Sequence, residues 1–271
     1  MLKFLLWNLN KKPLQDSVAR LARMHDIDVI VLIENTQPPD LIQRTLNLPG
    51  TGDYYYSPGQ CKKVQIFCRF LHGFIKPIFE DHRLTIRHLT LPARMDILLA
   101  AVHFCGKPHY EDHDQTSLCT TLSIKIKEAE KKVSHQRTVL TGDLNMNPFS
   151  PGILSAMGLH AITSGKIAQE RRMRNVQYEE YPFFYNPMWN LFGDKTPGPA
   201  GTYYYDNGKP IVQFWHMYDQ VLLRPDLISS FKDENLKILE TDGHESFLSK
   251  SGIPDSRNYS DHLPVLFGLD I

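Results

Sequence analysis

The sequence predicts an α/β fold, and three observations carry that reading. Apolar runs rich in β-branched residues alternate with segments of helical period. The run Asp28-Val29-Ile30-Val31-Leu32-Ile33-Glu34 is apolar almost without break, the pattern of a strand covered on both faces. Hydrophobic residues make up 42% of the 271 positions and charged ones 22%, which is material for a large core and excludes disorder for most of the chain. Chains of this length often fold as one α/β or sandwich domain. No repeat, low-complexity tract or boundary stands out, so residues 1–271 are expected to form one domain.

The elements follow in order. Lys3 to Leu9 reads as a strand. Leu14, Val18, Leu21 and Ala22 then recur at spacings of three and four, one face of a helix. The strand 28–34 comes next and ends on an acid. Val64 to Phe70, Leu84 to Leu91 and Asp96 to Phe104 are further strands, the last ending near His103. From Asp114 to Ser134 the period is helical: Leu118, Leu122, Ile126 and Ala129 share a stripe, and Asp114 is the expected N-cap. Thr138 to Asp143 is a strand that again ends on an acid. Residues 150–210 are dominated by Gly, Pro, Asn and aromatic residues, and a long ordered loop system is expected there. His216 to Leu223, carrying Asp219, and Leu263 to Leu269 are the closing strands.

Composition narrows the function. Lys+Arg and Asp+Glu both count 30, so there is no global basic excess of the kind that non-specific nucleic-acid binding draws on. Cys61, Cys68, Cys105 and Cys119 form no C-x-x-C pair and no compact zinc spacing; Cys68 and Cys105, in apolar runs, are expected to be reduced and buried. The apolar stretch at the N-terminus is too short for a signal peptide, and no run approaches the roughly 20 residues that span a bilayer. A cytoplasmic protein without a membrane partner is expected; its oligomeric state is not readable.

Chemistry enters where the strands stop. Buried strands that terminate in Asn8, Glu34, His103, Asp143, Asp219 and Asp261-His262 direct polar ends to one rim. Carboxylates gathered there repel one another unless a cation or a proton lies between them. Hard oxygen donors favour Mg²⁺ or Mn²⁺ over zinc. The His109-x-x-x-His113 pair has helical ligand spacing but sits in a polar loop beside Pro108, and no metal is expected on it. Arg171-Arg172-Met173-Arg174, with Lys166 nearby, is the densest basic run; it leads to Tyr178, Tyr181, Phe183, Phe184, Tyr185 and Trp189, which could hold a strand by charge and stacking.

Trp7-Asn8-Leu9-Asn10, Val31-Leu32-Ile33-Glu34, Gly142-Asp143-Leu144-Asn145, Tyr218-Asp219-Gln220-Val221 and Ser260-Asp261-His262-Leu263-Pro264 resemble, in this order, the motifs of the endonuclease/exonuclease/phosphatase (DNase I-like) superfamily. The resemblance runs from residue 3 to residue 269. It implies a four-layered α/β sandwich, two mixed and mostly antiparallel sheets packed face to face with helices outside. It also implies roles. Glu34 matches the principal Mg²⁺ ligand, Asn8 an amide supporting the metal or a phosphate oxygen, and Asp261 a second metal or water ligand. Asn10 stands where many relatives carry Asp, a lost carboxylate beside the metal. Asp143 matches the residue that orients or deprotonates the attacking water, and Asn145 a donor to the phosphoryl charge. His262 would contact phosphate with Asp219 on its other ring nitrogen. His103 would bind phosphate or protonate the leaving group. Asn186, in Asn186-Pro187-Met188-Trp189, is a further candidate substrate contact.

The activity so implied is hydrolysis of a phosphoester by a divalent-metal enzyme, with a nuclease or nucleic-acid phosphodiesterase as the leading expectation. The alternative is an enzyme for a small soluble phosphoester such as a nucleotide or inositol phosphate. A catalytically retired binding protein is the remote third.

Overall fold

The computed structural model describes residues 1–48, 53–106 and 111–271. The first half of the chain gives strand β1 (Leu2–Asn8), helix α1 (Gln15–Met24), β2 (Val29–Ile33), α2 (Pro39–Leu46), β3 (Tyr55–Ser57), β4 (Val64–Cys68), β5 (Ile75–Glu80), β6 (Leu84–Leu89), β7 (Ile97–His103), α3 (Asp112–Val133) and β8 (Thr138–Asp143). The second half gives α4 (Pro151–Leu154), β9 (Ala161–Ile162), α5 (Gly165–Arg171), β10 (Met173–Val176), β11 (Glu179–Pro182), β12 (Phe184–Tyr185), β13 (Tyr203–Tyr205), β14 (Phe214–His216), β15 (Asp219–Leu223), β16 (Lys237–Ile238) and β17 (Val265–Leu269).

Two large sheets form, in the orders β16-β17-β1-β2-β4-β3 and β5-β6-β7-β8-β15-β12-β9. Pairing is antiparallel except at β1–β2, β7–β8 and β9–β12. The four layers follow from the period-2 pattern of the strands. Phe4, Leu6, Val31 and Ile33 of the first sheet meet Leu99, Ala101, Val139 and Val221 of the second in one apolar cluster. Leu5, Trp7, Ile30 and Leu32, one residue out of phase, pack instead under α1 and α2 against Val18, Leu21 and Ile42. On the far side Leu98, Ala100, Leu140 and Leu222 lie under Cys119, Leu122 and Ile126 of α3. Strands covered on both faces must be apolar at nearly every position, which is why β1, β2, β7 and β8 were readable as runs.

Glycine is obligatory at one point of this core. Gly142 has φ +147°, and a Cβ there would lie 1.9 Å from the Val102 carbonyl oxygen of the parallel neighbour β7. The backbones of β7 and β8 approach where His103 and Asp143 must sit side by side.

Four expectations are corrected. Asp114 is the third residue of α3 rather than its N-cap: Glu111 caps the helix, and Asp114 returns the bond by accepting the Glu111 N–H at 3.0 Å. Residues 150–210 contain two helices and five strands as well as loops. The segment 216–223 is two strands, because the chain leaves the β13–β14 hairpin at Met217 and joins the second sheet at Asp219. Asn186 is buried and structural, donating to Gln220 Oε1 at 2.7 Å and accepting from the Met188 N–H at 3.0 Å. All four cysteines are free and buried. No helix of the described residues is long and apolar enough to cross a membrane.

Candidate active site

Strand register assembles the site. In the second sheet His103 is paired with Asp143, and Asp143 with Asp219, so the three are successive neighbours in one row across β7, β8 and β15. Residues in such a row point to the same face. In the first sheet Asn8 is paired with Ile33, which puts Glu34 one step beyond at the same rim. The loop before β17 returns Asp261 and His262; Tyr203 bridges to His262, and the Trp7 indole N–H holds the His262 carbonyl at 2.9 Å. Ser260 locks that turn, donating its hydroxyl to the Asn8 carbonyl at 2.6 Å and accepting the His262 N–H at 3.0 Å.

Asp143 is the centre and is buried. Its Oδ2 accepts from Asn8 Nδ2 at 2.9 Å, and its Oδ1 from the Asn145 N–H at 2.9 Å. His103 Nε2 and His262 Nε2 stand 3.8 and 4.0 Å from that same Oδ2. His262 Nδ1 makes a 2.7 Å hydrogen bond to Asp219 Oδ2, and Asp219 is fixed in turn by its N–H on Thr202 Oγ1 at 3.1 Å. Glu34 Oε1 faces His103 Nε2 at 3.4 Å. The Asn10 N–H donates to Asn8 Oδ1 at 3.0 Å, and one side-chain N–H of Asn145 is taken by the Phe104 carbonyl at 3.0 Å. Asn10, Glu34 and Asn145 all adopt positive φ, at 44°, 51° and 49°. Such backbone strain in non-glycine residues concentrates at functional sites.

Burial sets the protonation states. It pushes the Asp143 carboxyl up to about 7, against the lowering pull of His262 and with a further push from Asp219. Burial alone would lower His262, but the adjacent Asp219 carboxylate, then Asp143 and Asp261, outweigh it and raise the imidazole to about 10. His103 goes the other way, lowered to about 4 by burial and by the charges of Arg83, Lys63 and His262, so it is neutral at pH 7 although carboxylates face it. The two histidines flanking Asp143 therefore differ: one is a cation and one is not.

A cleft of about 1040 Å³ opens over these groups and is lined by Asn8, Asn10, Glu34, His103, Asp143, Asn145, Asp261 and His262, while Asp219 is fully buried behind His262 and Asn186 lies elsewhere. Among the described residues, Asp143, Asp219 and His262 are the trio of acidic and imidazole groups close enough to share an ion. The 2.7 Å Asp219–His262 bond already holds a proton between two of them, which makes this trio a poor cation cage. An oxygen set of Glu34, Asn8 and Asp261 suits Mg²⁺ or Mn²⁺ better, since such ions keep several waters. One observation favours a cation here: Asp261 Oδ1 is buried with no hydrogen-bond partner.

Sequence reasoning missed Lys63, Arg83 and Lys209, which bring cations to the cleft, and the rings of Tyr203, Tyr205, His216 and Tyr218 along its wall. Only Tyr218, adjacent to the Asp219 motif, carried a signal. The basic run 171–174 does not line the cleft; Arg172 instead pairs with Asp226. His109 lies outside the described residues, and His113 is exposed and faces Glu111 and Asp114 at 3.5 and 3.4 Å.

Residues 5–262 match the model of the Endonuclease/Exonuclease/phosphatase family. The chain belongs to that family. No curated protein matches its sequence. Among solved structures it is similar to the endonuclease domain of TRAS1, a telomere-specific non-LTR retrotransposon, at 15% identity with 100% of this chain and 99% of that one covered and a TM-score of 0.53. An AP endonuclease from Archaeoglobus fulgidus is similar at 14% identity, full coverage of both chains and a TM-score of 0.55. A truncated TDP2 from Caenorhabditis elegans is similar at 14% identity, covering 98% and 97%, with a TM-score of 0.56. At these identities the likeness establishes the DNase I-like fold of two mixed sheets and outer helices. Family membership supports phosphoester chemistry.

Proposed function

We propose that this protein is a divalent-metal-dependent nuclease, hydrolysing a phosphodiester P–O bond in nucleic acid. The observation that carries the reading is Asp143, held by Asn8 and Asn145 in a fixed orientation and flanked by the Nε2 atoms of His103 and His262. A water oxygen attacks phosphorus while Asp143 orients it and takes its proton, a task suited to a carboxyl whose affinity for protons has been raised toward neutrality. As that bond forms, the P–O bond to the leaving oxygen breaks, and the leaving oxygen takes a proton from solvent. His262, kept charged by Asp219, presents Nε2 to a phosphoryl oxygen where negative charge grows. Asn145 has a second amide N–H beyond the one given to Phe104 and adds a donor to the same oxygens. His103 is neutral at pH 7 and fits hydrogen bonding to phosphate better than proton donation.

Glu34, Asn8 and Asp261 would hold Mg²⁺ or Mn²⁺, with Asn10 alongside through its bond to Asn8. Bound there, such an ion would polarise the phosphoryl oxygens and offset the negative charge that builds on them. Nucleic acid is supported as substrate by the endonucleases among the similar structures and by Lys63, Arg83 and Lys209 at the cleft. The test is cleavage of labelled DNA and RNA by purified protein with Mg²⁺ or Mn²⁺, abolished by EDTA and restored by metal. A protein that leaves both polymers intact but turns over small phosphoesters would transfer the same chemistry to a small substrate. Turnover of nothing in either panel would favour a retired member.

A further inference from the structure

One wall of the cleft is a run of rings that the phosphoryl chemistry does not use. β13 and β14 form a two-stranded hairpin in which Tyr203 is paired with His216 and Tyr205 with Phe214. Tyr203 and Tyr205, two residues apart, share a face. The Tyr203 ring lies 4.7 Å from the His262 ring, Tyr205 stacks beyond it at 6.4 Å and 18°, and Tyr218 stacks on Tyr203 at 5.3 Å and 22°. The series leads outward from the reacting centre and ends in Tyr205, 48% exposed, beside the hairpin loop that carries Lys209 and the 89% exposed Ile211. Burying such rings in the core would have satisfied the hydrophobic effect; here they stay half open along the wall of the cleft.

We infer that this hairpin is a stacking subsite for an unpaired base next to the scissile phosphate, which makes a single strand or an unpaired segment the preferred substrate. The inference rests on the nucleic-acid reading above. A paired base shows a protein only its edges, and a ring wall can use only a face that has left the helix stack. Charge and stacking can act together there: among the described residues Lys63, Arg83 and Lys209 line the same cleft and can meet the phosphates while the rings hold the base.

The experiment measures binding and cleavage separately. Fluorescence anisotropy of the Asp143→Asn protein in EDTA is followed with a labelled single strand, a duplex of the same sequence, and a single strand whose bases are replaced by abasic residues. The base-bearing strand is expected to bind more tightly than the duplex. Removing its bases should weaken binding by roughly 5- to 100-fold, the range for losing one stacked base. Adding Tyr205→Ala should produce a similar loss on the base-bearing strand and little further loss on the abasic one. With phosphates on Lys63, Arg83 and Lys209, log K against log salt should have a slope of about −2 or steeper. Equal losses on base-bearing and abasic strands, or tighter binding of the duplex, would overturn the subsite. If the wild-type protein with metal cleaves nucleic acid but this coupling is missing, the stacking inference fails alone. If it cleaves neither polymer, the nuclease reading fails, and the coupling then decides the subsite by itself.

Discussion

Replacing Asp219 with asparagine removes one charge from behind His262 and changes almost nothing else in shape. Asp219 is fully buried, and the amide can still accept the His262 Nδ1–H, so the ring keeps its place. What goes is the carboxylate that holds the imidazole protonated. With Asp219 gone, burial is opposed only by Asp143 and Asp261, so the His262 imidazole holds its proton less tightly and less of it is charged at pH 7.5. A neutral Nε2 offers phosphate a weaker hydrogen bond or none. Losing one donor aimed at transition-state charge costs about 10²- to 10³-fold in kcat. The assay is steady-state cleavage of an end-labelled oligonucleotide with Mg²⁺ at pH 7.5, with the melting temperature as a check on folding. An NMR titration of the imidazole supplies a readout that a purely structural role would not move. His262 should stay protonated through pH 8 in the wild type and titrate at a lower pH in the variant. The sign for stability follows. Because the folded His262 value is raised, the pair's contribution is fully present below pH 6.5 and is lost as pH rises through about 10, so the two melting temperatures should converge in alkali. A variant within threefold of wild-type kcat, with His262 shown to be neutral, would refute the claim that this charge serves the reaction.

Other parts of the fold carry their own expectations. Arg224 is buried, bonded to Glu130 Oε1 at 2.8 Å and to the Pro182 and Phe183 carbonyls at 3.1 Å, with its guanidinium 4.0 Å from the Phe184 ring. Arg224→Leu strands the Glu130 charge and should cost about 3–5 kcal/mol, which at this size is a fall of roughly 10 °C in melting temperature; the double variant Glu130→Leu/Arg224→Met should recover much of it. Gly142→Ala drives a methyl into the Val102 carbonyl and should cost about 3 kcal/mol or more by denaturant titration, with the active row displaced. Asp242, buried and bonded to Arg20 Nε at 2.8 Å, has a carboxyl that burial would raise, but Arg20 and neighbouring N–H groups hold it below its usual range. A depressed folded value means stability present above pH 4 and lost on acidification, so Asp242→Asn should cost about 1–3 kcal/mol at pH 7 and progressively less below pH 4.

How much of this was legible in the sequence depends on whether the signal was local. β1, β2, β7 and β8 were placed within about two residues because each is buried on both faces and must be apolar throughout. Their polar ends then had to be solvated, paired or functional, and that made Asn8, Glu34, His103 and Asp143 readable before any fold was known. The β10–β11 hairpin gave no such signal. Its residues Met173-Arg174-Asn175-Val176 and Glu179-Glu180-Tyr181-Pro182 are mostly exposed and do not alternate. The basic run that opens it misled for a related reason. β12, which follows the hairpin, joins β15 at Leu223, whereas the cleft lies at Asp219, the opposite end of the same strand. Density of arginines along the chain says nothing about which end of a strand they reach. Among the described residues, the lysines and arginine that do reach the cleft, Lys63, Arg83 and Lys209, come one at a time from three loops whose positions are fixed by strand register elsewhere. The acidic centre could therefore be read from single strands, but the wall that selects a substrate exists only after the strands have paired.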